Sequence, residues 1–276
     1  MTATIAPGLR VVLAPNPGPM TGPGTNQYLL GDDDPIRGND GPVLLDAAAL
    51  DVENQTRLRA AGPAPRALVL THTHPDHVGG ALGARTAFGV SIAVHRRHAQ
   101  ATVDGLPLRP ERLLDDGDEV RFPGGRLRVL HTPGHESGHC CFYEPERRWL
   151  FTGDTILSTG TTVIAPPDGD MRAYLASLER LAGLDLALIL PGHGPPIDRP
   201  YEKIAEYLAH RRMREAQIVE TLAAGIDRIA DVVPRLYADV PPILHGMAAL
   251  TVRAHLEKLV AEGRVVEDGG RFMLRQ

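Results

Sequence analysis

The stretch that most restricts how this chain can fold is Thr71-His72-Thr73-His74-Pro75-Asp76-His77-Val78-Gly79-Gly80, which follows directly on the apolar run Ala67–Leu70. Four apolar residues without alternation read as a strand buried on both faces, so the polar run lies just past the end of a core strand. Side chains placed there are held by the core yet open to water, as a reactive site requires. His72 and His74, two apart, can project to one side, while the turn at Pro75 redirects Asp76 and His77 to a second position nearby. A helix is expected to start near His77, with Gly79 and Gly80 just inside it allowing close backbone approach.

The same device recurs three times. A strand ends in His131-Thr132-Pro133-Gly134-His135; Asp154 follows the strand Arg148–Phe151 through Thr152-Gly153; and Pro191-Gly192-His193-Gly194 follows Ala187–Leu190. Seven ligand-type residues on four strand ends point to two metal sites, with His72, His74 and His135 on one ion, Asp76, His77 and His193 on the other, and Asp154 bridging. Imidazole and carboxylate ligands suit Zn²⁺ best, with Mn²⁺ or Fe²⁺ as alternatives. Two such ions ~3.5–4 Å apart lower the pKa of a bridging water and supply hydroxide as the nucleophile, so no Ser or Cys is needed. Asp76 and Asp154 are the expected catalytic residues, Asp76 acting as ligand and base together. His131 and His139 flank a ligand and are open to a supporting role. His95, His98, His210, His245 and His255 read as surface or packing residues.

Strand candidates run through the first two hundred residues: Arg10–Leu13, Gln27–Leu30, Val43–Leu45, Ala67–Leu70, Ser91–Val94, Glu119–Phe122, Arg126–Leu130, His139–Tyr143, Arg148–Phe151 and Ala187–Leu190. Helical patches are Asp51–Ala61, the segment near His77, and Met171–Leu184, an order that implies layered α/β architecture. After Pro196 the texture turns helical, giving domains at 1–200 and 201–276. Tyr201–Ala224, Ile229–Tyr237 and Leu250–Ala261 are helices closed by the strands Val265–Glu267 and Arg271–Leu274 around Asp-Gly-Gly, which describes a winged helix. As a nucleic-acid reader it would turn Arg253, His255 and Lys258 outward. Residues 201–276, however, carry 11 Lys/Arg against 11 Asp/Glu, a neutral balance that favours packing and homo-oligomerisation.

The net charge of −5 excludes a general attraction to nucleic acid, though not a local basic path. No apolar run approaches the ~18 residues that span a bilayer, and no basic head with an apolar stretch opens the chain, so the expected location is the cytoplasm with no membrane partner. Cys140 and Cys141 are adjacent in a strand and face opposite ways, which makes them buried thiols and not a disulfide.

The pattern HxHxDH, then TPGH, GD and PGHG, resembles the metallo-β-lactamase superfamily across residues 24–196. The resemblance implies an α/β fold, an αββα four-layer sandwich with metals at one edge, followed here by a small C-terminal winged helix. Antibiotic-hydrolysing members often place Cys on the second metal; this chain has Asp154, and so is similar to the glyoxalase II and ribonuclease branches. A closer resemblance is to the beta-lactamase-like protein 2 group of single-strand endoribonucleases and its bacterial relatives. It rests on Asn16-Pro17-Gly18-Pro19-Met20-Thr21, Gly24-Thr25-Asn26, Tyr28, Gly160-Thr161-Thr162-Val163, Tyr174, Leu178 and the stretch from His210-Arg211 to Glu215. Only 38 residues lie between Asp154 and His193, too few for the inserted domain of the β-CASP nucleases. Cleavage of single-stranded RNA is the leading expectation. Hydrolysis of acylglutathione, acyl-CoA or acyl-carrier-protein thioesters, or of esters, is the alternative. Discrimination is expected in a groove lined by Thr25, Asn26, Thr161, Thr162 and Tyr174.

Overall fold

The computed structural model describes residues 2–31, 41–48 and 51–275. Two compact units emerge: the first is Met1–Thr132, Gly138–Gly160 and Asp185–Pro200, and the second is Pro133–Ser137, Thr161–Leu184 and Tyr201–Gln276.

In the first unit one sheet runs β1 (Thr2–Ala6), β2 (Leu9–Leu13), β3 (Asn26–Leu30), β4 (Val43–Leu45), β5 (Ala67–Val69), β6 (Ser91–His95) and, after the two-residue ladder β7 (Thr102–Val103) and β8 (Leu106–Pro107), β9 (Arg112–Leu114). Its first four strands pair antiparallel; β4, β5, β6 and β9 run parallel. The second sheet is β10 (Glu119–Phe122), β11 (Gly125–His131), β12 (Cys140–Glu144), β13 (Trp149–Gly153) and β14 (Leu188–Pro191), antiparallel except for the parallel pair β13–β14. β10 shows the alternation that fixes a one-faced strand, with Val120 and Phe122 buried and Glu119 and Arg121 exposed.

Between the sheets lies a core in which Leu9, Leu30, Leu45 and Val69 from the first meet Val129, Phe142, Phe151 and Leu190 from the second. A second core on the outer face of the first sheet buries Leu58 and Ala61 of α1 (Val52–Ala61), Val78 of α2 (Pro75–Val78), and Ala81 and Ala84 of α3 (Ala81–Phe88). Each fully buried Leu or Phe contributes about 1.5–3 kcal/mol, so both layers pin the strand ends from which the polar residues project. β3 carries two amides into this interior. Gln27 resolves the cost by exchanging amide hydrogen bonds with Asn54 at 2.8 and 3.1 Å.

The second unit holds α4 (Met171–Ala182), α5 (Pro200–Ala223), α6 (Ile229–Leu236), α7 (His245–Ala261) and the hairpin β15 (Val265–Asp268) with β16 (Arg271–Leu274). Ile218 and Leu222 of α5, Val232 of α6, Val252, Leu256 and Leu259 of α7, and Phe272 of the hairpin share one core. Gly269 and Gly270 at φ of 53° and 75° supply the left-handed turn of the hairpin.

Several expectations needed correction. The helix near His77 is broken, one turn of α2 being followed by α3, with Gly79 and Gly80 in the gap; the Gly80 N–H reaches the Ala47 carbonyl at 2.8 Å. β1, β7, β8 and β9 escaped the sequence reading because they are short or, like β1, mostly exposed edge. α7 begins at His245, ahead of the predicted Leu250, because His245 Nε2 binds the Tyr237 and Val240 carbonyls and starts the helix before the weak helix former Gly246. His255 is fully buried on the face of Val252 and Leu259, a packing position, and not turned outward as a nucleic-acid-reading helix would require. Cys140 and Cys141 are buried free thiols, as expected. No helix among the described residues is long and apolar enough to cross a membrane.

Candidate metal centre

Strand direction gathers the polar residues. β13 and β14 are parallel, so Asp154 and His193 leave the second sheet at the same edge, cross-linked by the Gly192 N–H donating to Gly153 O at 2.9 Å. On the first sheet the parallel pair β4–β5 sends Asp46 and the segment from Thr71 to His77 out together. The two edges meet where the backbone of Thr25 pairs with that of His193 and the Asn26 N–H donates to Gly192 O at 2.8 Å.

Asp76, His77, Asp154 and His193 form one group of ligand-type atoms. His77 Nε2 lies 3.2 Å from His193 Nε2 and 3.2 Å from Asp154 Oδ1; His193 Nε2 lies 3.2 Å from Asp76 Oδ2 and 3.4 Å from Asp154 Oδ1; His77 Nε2 and Asp76 Oδ2 are 3.7 Å apart. Ligand bonds of ~2.0–2.1 Å to a tetrahedral Zn²⁺ give edges of roughly 3.3–3.4 Å between donor atoms. Four of these five separations are therefore within ~0.2 Å of the size a first-row cation demands, and the residues fit the ion. Gly192 keeps the space open, since a Cβ there would come within 2.7 Å of His77 Cε1 and 2.8 Å of Asp154 Oδ1.

Charge is balanced by proximity. Burial alone would raise the Asp154 carboxyl, but the adjoining His77 and His193 hold it well below the ordinary carboxylate range. Burial likewise opposes protonation of His193, yet Asp154 and Asp76 lift it to about 9. Asp76 is lowered too, against its own burial, by the His193 hydrogen bond and the His77 charge. Its side chain is the most open of the four at 26% exposure, while that of His77 is fully buried.

The supporting residues fix which nitrogen of each ring faces inward. Asp46, in the left-handed region at φ 61°, accepts the Thr71 N–H on Oδ1 at 2.7 Å, and on Oδ2 both the Thr71 hydroxyl and His77 Nδ1–H at 2.8 Å. With its proton committed to Asp46, the Thr71 oxygen accepts His72 Nδ1–H at 2.9 Å. His193 Nδ1–H points to Gly24 O at 3.4 Å. In every case Nε2 is left as the electron-pair donor. Asp46 was missed from sequence, where it reads as an ordinary turn residue after a strand. His139, open to a supporting role, accepts the Asp154 N–H on Nε2 at 3.2 Å from a wholly buried position.

His72 and His74 stand ring against ring, centroids 4.8 Å apart and perpendicular. His135 belongs to the second unit, where its Nδ1–H donates to Val163 O at 2.7 Å, again leaving Nε2. His131 stacks on His95 at 4.1 Å. Among the expected groove residues, Thr25, Thr162 and Tyr174 are buried, Thr161 is exposed, and Asn26 spends its amide on the Pro191 and Gly194 carbonyls at 2.9 and 2.7 Å.

This combination of paired sheets with His and Asp donors at one edge defines a metallohydrolase class, and residues 20–193 match the metallo-beta-lactamase superfamily while residues 229–271 match the beta-lactamase associated winged helix domain. The chain belongs to the metallo-beta-lactamase superfamily, with the fold and the C-terminal winged helix that membership implied. Among relatives, it is 34% identical to the beta-lactamase-like protein 2 homolog of Caenorhabditis elegans, the match covering 93% of this chain and 85% of that protein. It is 33% identical to an atrochrysone carboxyl ACP thioesterase of Aspergillus chevalieri, over 86% and 75%. The crystal structure of a metallo-beta-lactamase family protein from Thermus thermophilus superposes with a TM-score of 0.82 at 25% identity, covering 99% of this chain and all of that one.

Proposed function

We propose that this protein is a cytoplasmic two-metal hydrolase of thioesters or esters with an apolar acyl group, in which His72, His74 and His135 hold one ion, Asp76, His77 and His193 the other, and Asp154 faces both. The observation that carries the hydrolase assignment is the close spacing, 3.2–3.7 Å, of the donor atoms of Asp76, His77, Asp154 and His193. Zn²⁺, or Mn²⁺ or Fe²⁺ in its place, would supply hydroxide at neutral pH and draw charge from the substrate oxygen. Asp76, the most exposed donor, is placed to orient the attacking water and take its proton. Asp46 and Thr71 hold the imidazoles in the required tautomer.

Two features favour an acyl substrate. A cleft of about 380 Å³, walled by Ile5, Val11, Leu13, Pro23 and Pro195, counts in its lining Gly194, the residue after His193. Its lining is almost wholly apolar, suited to a carbon chain or an aromatic ring. Four cations of the winged helix, by contrast, are engaged: Arg253 pairs with Glu257 and Glu267, Lys258 with Glu215 and Glu262, Arg264 with Glu215, and Arg271 with Asp227. Polyanion binding needs free cations to displace counterions. A second reading, cleavage of single-stranded RNA, draws on the resemblance to the beta-lactamase-like protein 2 group and would use the same water.

The test is a panel of acyl-N-acetylcysteamine thioesters of increasing acyl size, S-lactoylglutathione and an unstructured fluorescent oligoribonucleotide, assayed with metal-loaded protein. Thioester turnover is expected to rise with acyl size, to vanish in Asp154→Ala, and to show KM for the larger acyl groups raised about tenfold in Ala3→Trp, which fills the cleft. RNA cleavage without thioester loss would replace the substrate, and failure to hold any transition metal would remove the whole reading.

A further inference from the structure

His135 sits on a segment with no secondary structure of its own, so its aim depends on what holds the atoms around it. Its Nδ1–H donates to the carbonyl of Val163, which lies in the irregular stretch between Gly160 and Asp170. No strand ladder fixes that carbonyl. Its two sequence neighbours are tied instead to the helices of the same unit: the Thr162 carbonyl accepts from Arg211 Nη2 on α5, and the Ile164 N–H donates to Thr251 Oγ1 on α7 at 3.4 Å. Three consecutive residues thus hold, in order, α5, the ligand and α7. The side chains that make the grip are inside the protein, with Arg211 at 1% exposure and Thr251 at 5%, as is Thr162 at 2%.

The second grip on His135 comes from α4. A Cβ on Gly134, at φ 137°, would fall 2.3 Å from Tyr174 Cα, so the turn before His135 lies flush on the α4 backbone. The Gly134 carbonyl accepts the Asp170 N–H at 2.8 Å, and the Pro133 carbonyl accepts the Ser177 hydroxyl at 2.8 Å. The Tyr174 ring lies 5.2 Å from the Arg211 guanidinium, so one side chain touches both supports. A buried guanidinium is costly to desolvate, and its hydrogen bond to the Thr162 carbonyl is one of the contacts that offset that cost.

We infer that Arg211 and Thr251 are positioning residues for His135: the C-terminal helices aim one metal ligand through the Thr162–Ile164 carbonyl and amide groups. The inference rests on the assignment of His135 as a ligand in the proposed function. It gives the winged-helix unit a part in the chemistry that requires no nucleic acid.

The experiment compares wild type with Arg211→Met, Arg211→Lys and Thr251→Val for Zn²⁺ affinity by competition with a chromophoric chelator, for Co²⁺ absorption, and for the melting temperature of the metal-free protein. In Arg211→Met one of two ions is expected to bind at least tenfold more weakly, with the Co²⁺ bands of that site shifted and the other ion held as in wild type. Thr251→Val should show a two- to fivefold loss at the same site, and Arg211→Lys should restore part of the affinity. Unchanged affinity for both ions, or equal loss at both in step with a lowered melting temperature, would overturn the inference. Should Arg211→Met fail to fold, Thr251→Val decides alone, with selective loss supporting the proposal and no loss or equal loss defeating it. His135→Ala separates the two levels: if it too leaves both ions bound as tightly, the ligand assignment itself is at fault.

Discussion

Asp46→Asn isolates the part the sequence did not announce. The substitution keeps shape and tolerates the positive φ of residue 46, as Asn does routinely. It changes one acceptor oxygen into an NH₂ donor, and neither orientation of the amide satisfies the site. With nitrogen in the Oδ2 position it faces the Thr71 hydroxyl and His77 Nδ1, both donors to Asp46 in the native protein. His77 can escape only by moving its proton to Nε2, which removes the lone pair a metal needs. With nitrogen in the Oδ1 position it opposes the Thr71 backbone N–H. Either clash leaves a buried donor without an acceptor, a cost of about 1–3 kcal/mol. Supports of this kind are worth roughly 10–100-fold in metal affinity. Because Thr71 relays the arrangement to His72, both ions should weaken. Chelator competition measures the two affinities, and long-range ¹H–¹⁵N spectra of the metal-free protein read the His72 and His77 tautomers directly. Wild-type affinities together with unchanged tautomers would refute the relay.

Two further outcomes are expected. Gly192→Ala should lower affinity for the ion held by His77 and Asp154 by tenfold or more while the circular dichroism of the fold is retained, because its methyl occupies space next to both ligands; full occupancy at micromolar metal would count against the assignment. Glu215, held down to about 2 chiefly by the neighbouring His255 imidazole, 3.6 Å away, and then by Lys258, whose ammonium donates to it at 2.8 Å, has a folded value below that of the unfolded chain. Its contribution is therefore complete above pH ~4.3 and is lost as pH falls through about 2. Urea unfolding should find Glu215→Gln weaker than wild type by about 1–2 kcal/mol at pH 6, after allowance for solvent screening, with the gap closing by pH 2; a gap independent of pH would sink the reasoning.

What could be read from sequence, and what could not, divides along the range of the interactions involved. His72, His74, Asp76, His77, His135, Asp154 and His193 were legible as candidate ligands because a donor at a strand end needs only local signals: an apolar run, a turn residue and a donor side chain. The strands of the second sheet were found for the same reason, and β9, three residues long, was not. His255, read as a surface or packing residue, is a packing residue, and Val252, His255 and Leu259 follow the spacing of one helical face. Asp46 carried no such local signal. It lies 31 residues before the histidine it orients, and nothing near it in the chain marks it as different from any aspartate closing a strand. The grips of Arg211 on Thr162 and Thr251 on Ile164 span 49 and 87 residues.

This division follows from what each layer must do. Ligands have to be of particular chemical types, so their identity is constrained and visible. Supports have only to present a donor or an acceptor at one point, which a carboxylate, a hydroxyl, a guanidinium or a backbone carbonyl can each do; here Asp46, Thr71, Gly24 and Val163 fill the same office for four different histidines. Two of those four acceptors are main-chain carbonyls, whose positions depend on the fold and on no side chain of their own. A substitution far from the metals that shifts such a carbonyl is therefore expected to act on ion affinity as strongly as the loss of a visible support, and that is the common ground on which the Asp46 and Arg211 variants can be compared: each alters an acceptor for an imidazole N–H and leaves every ligand in place.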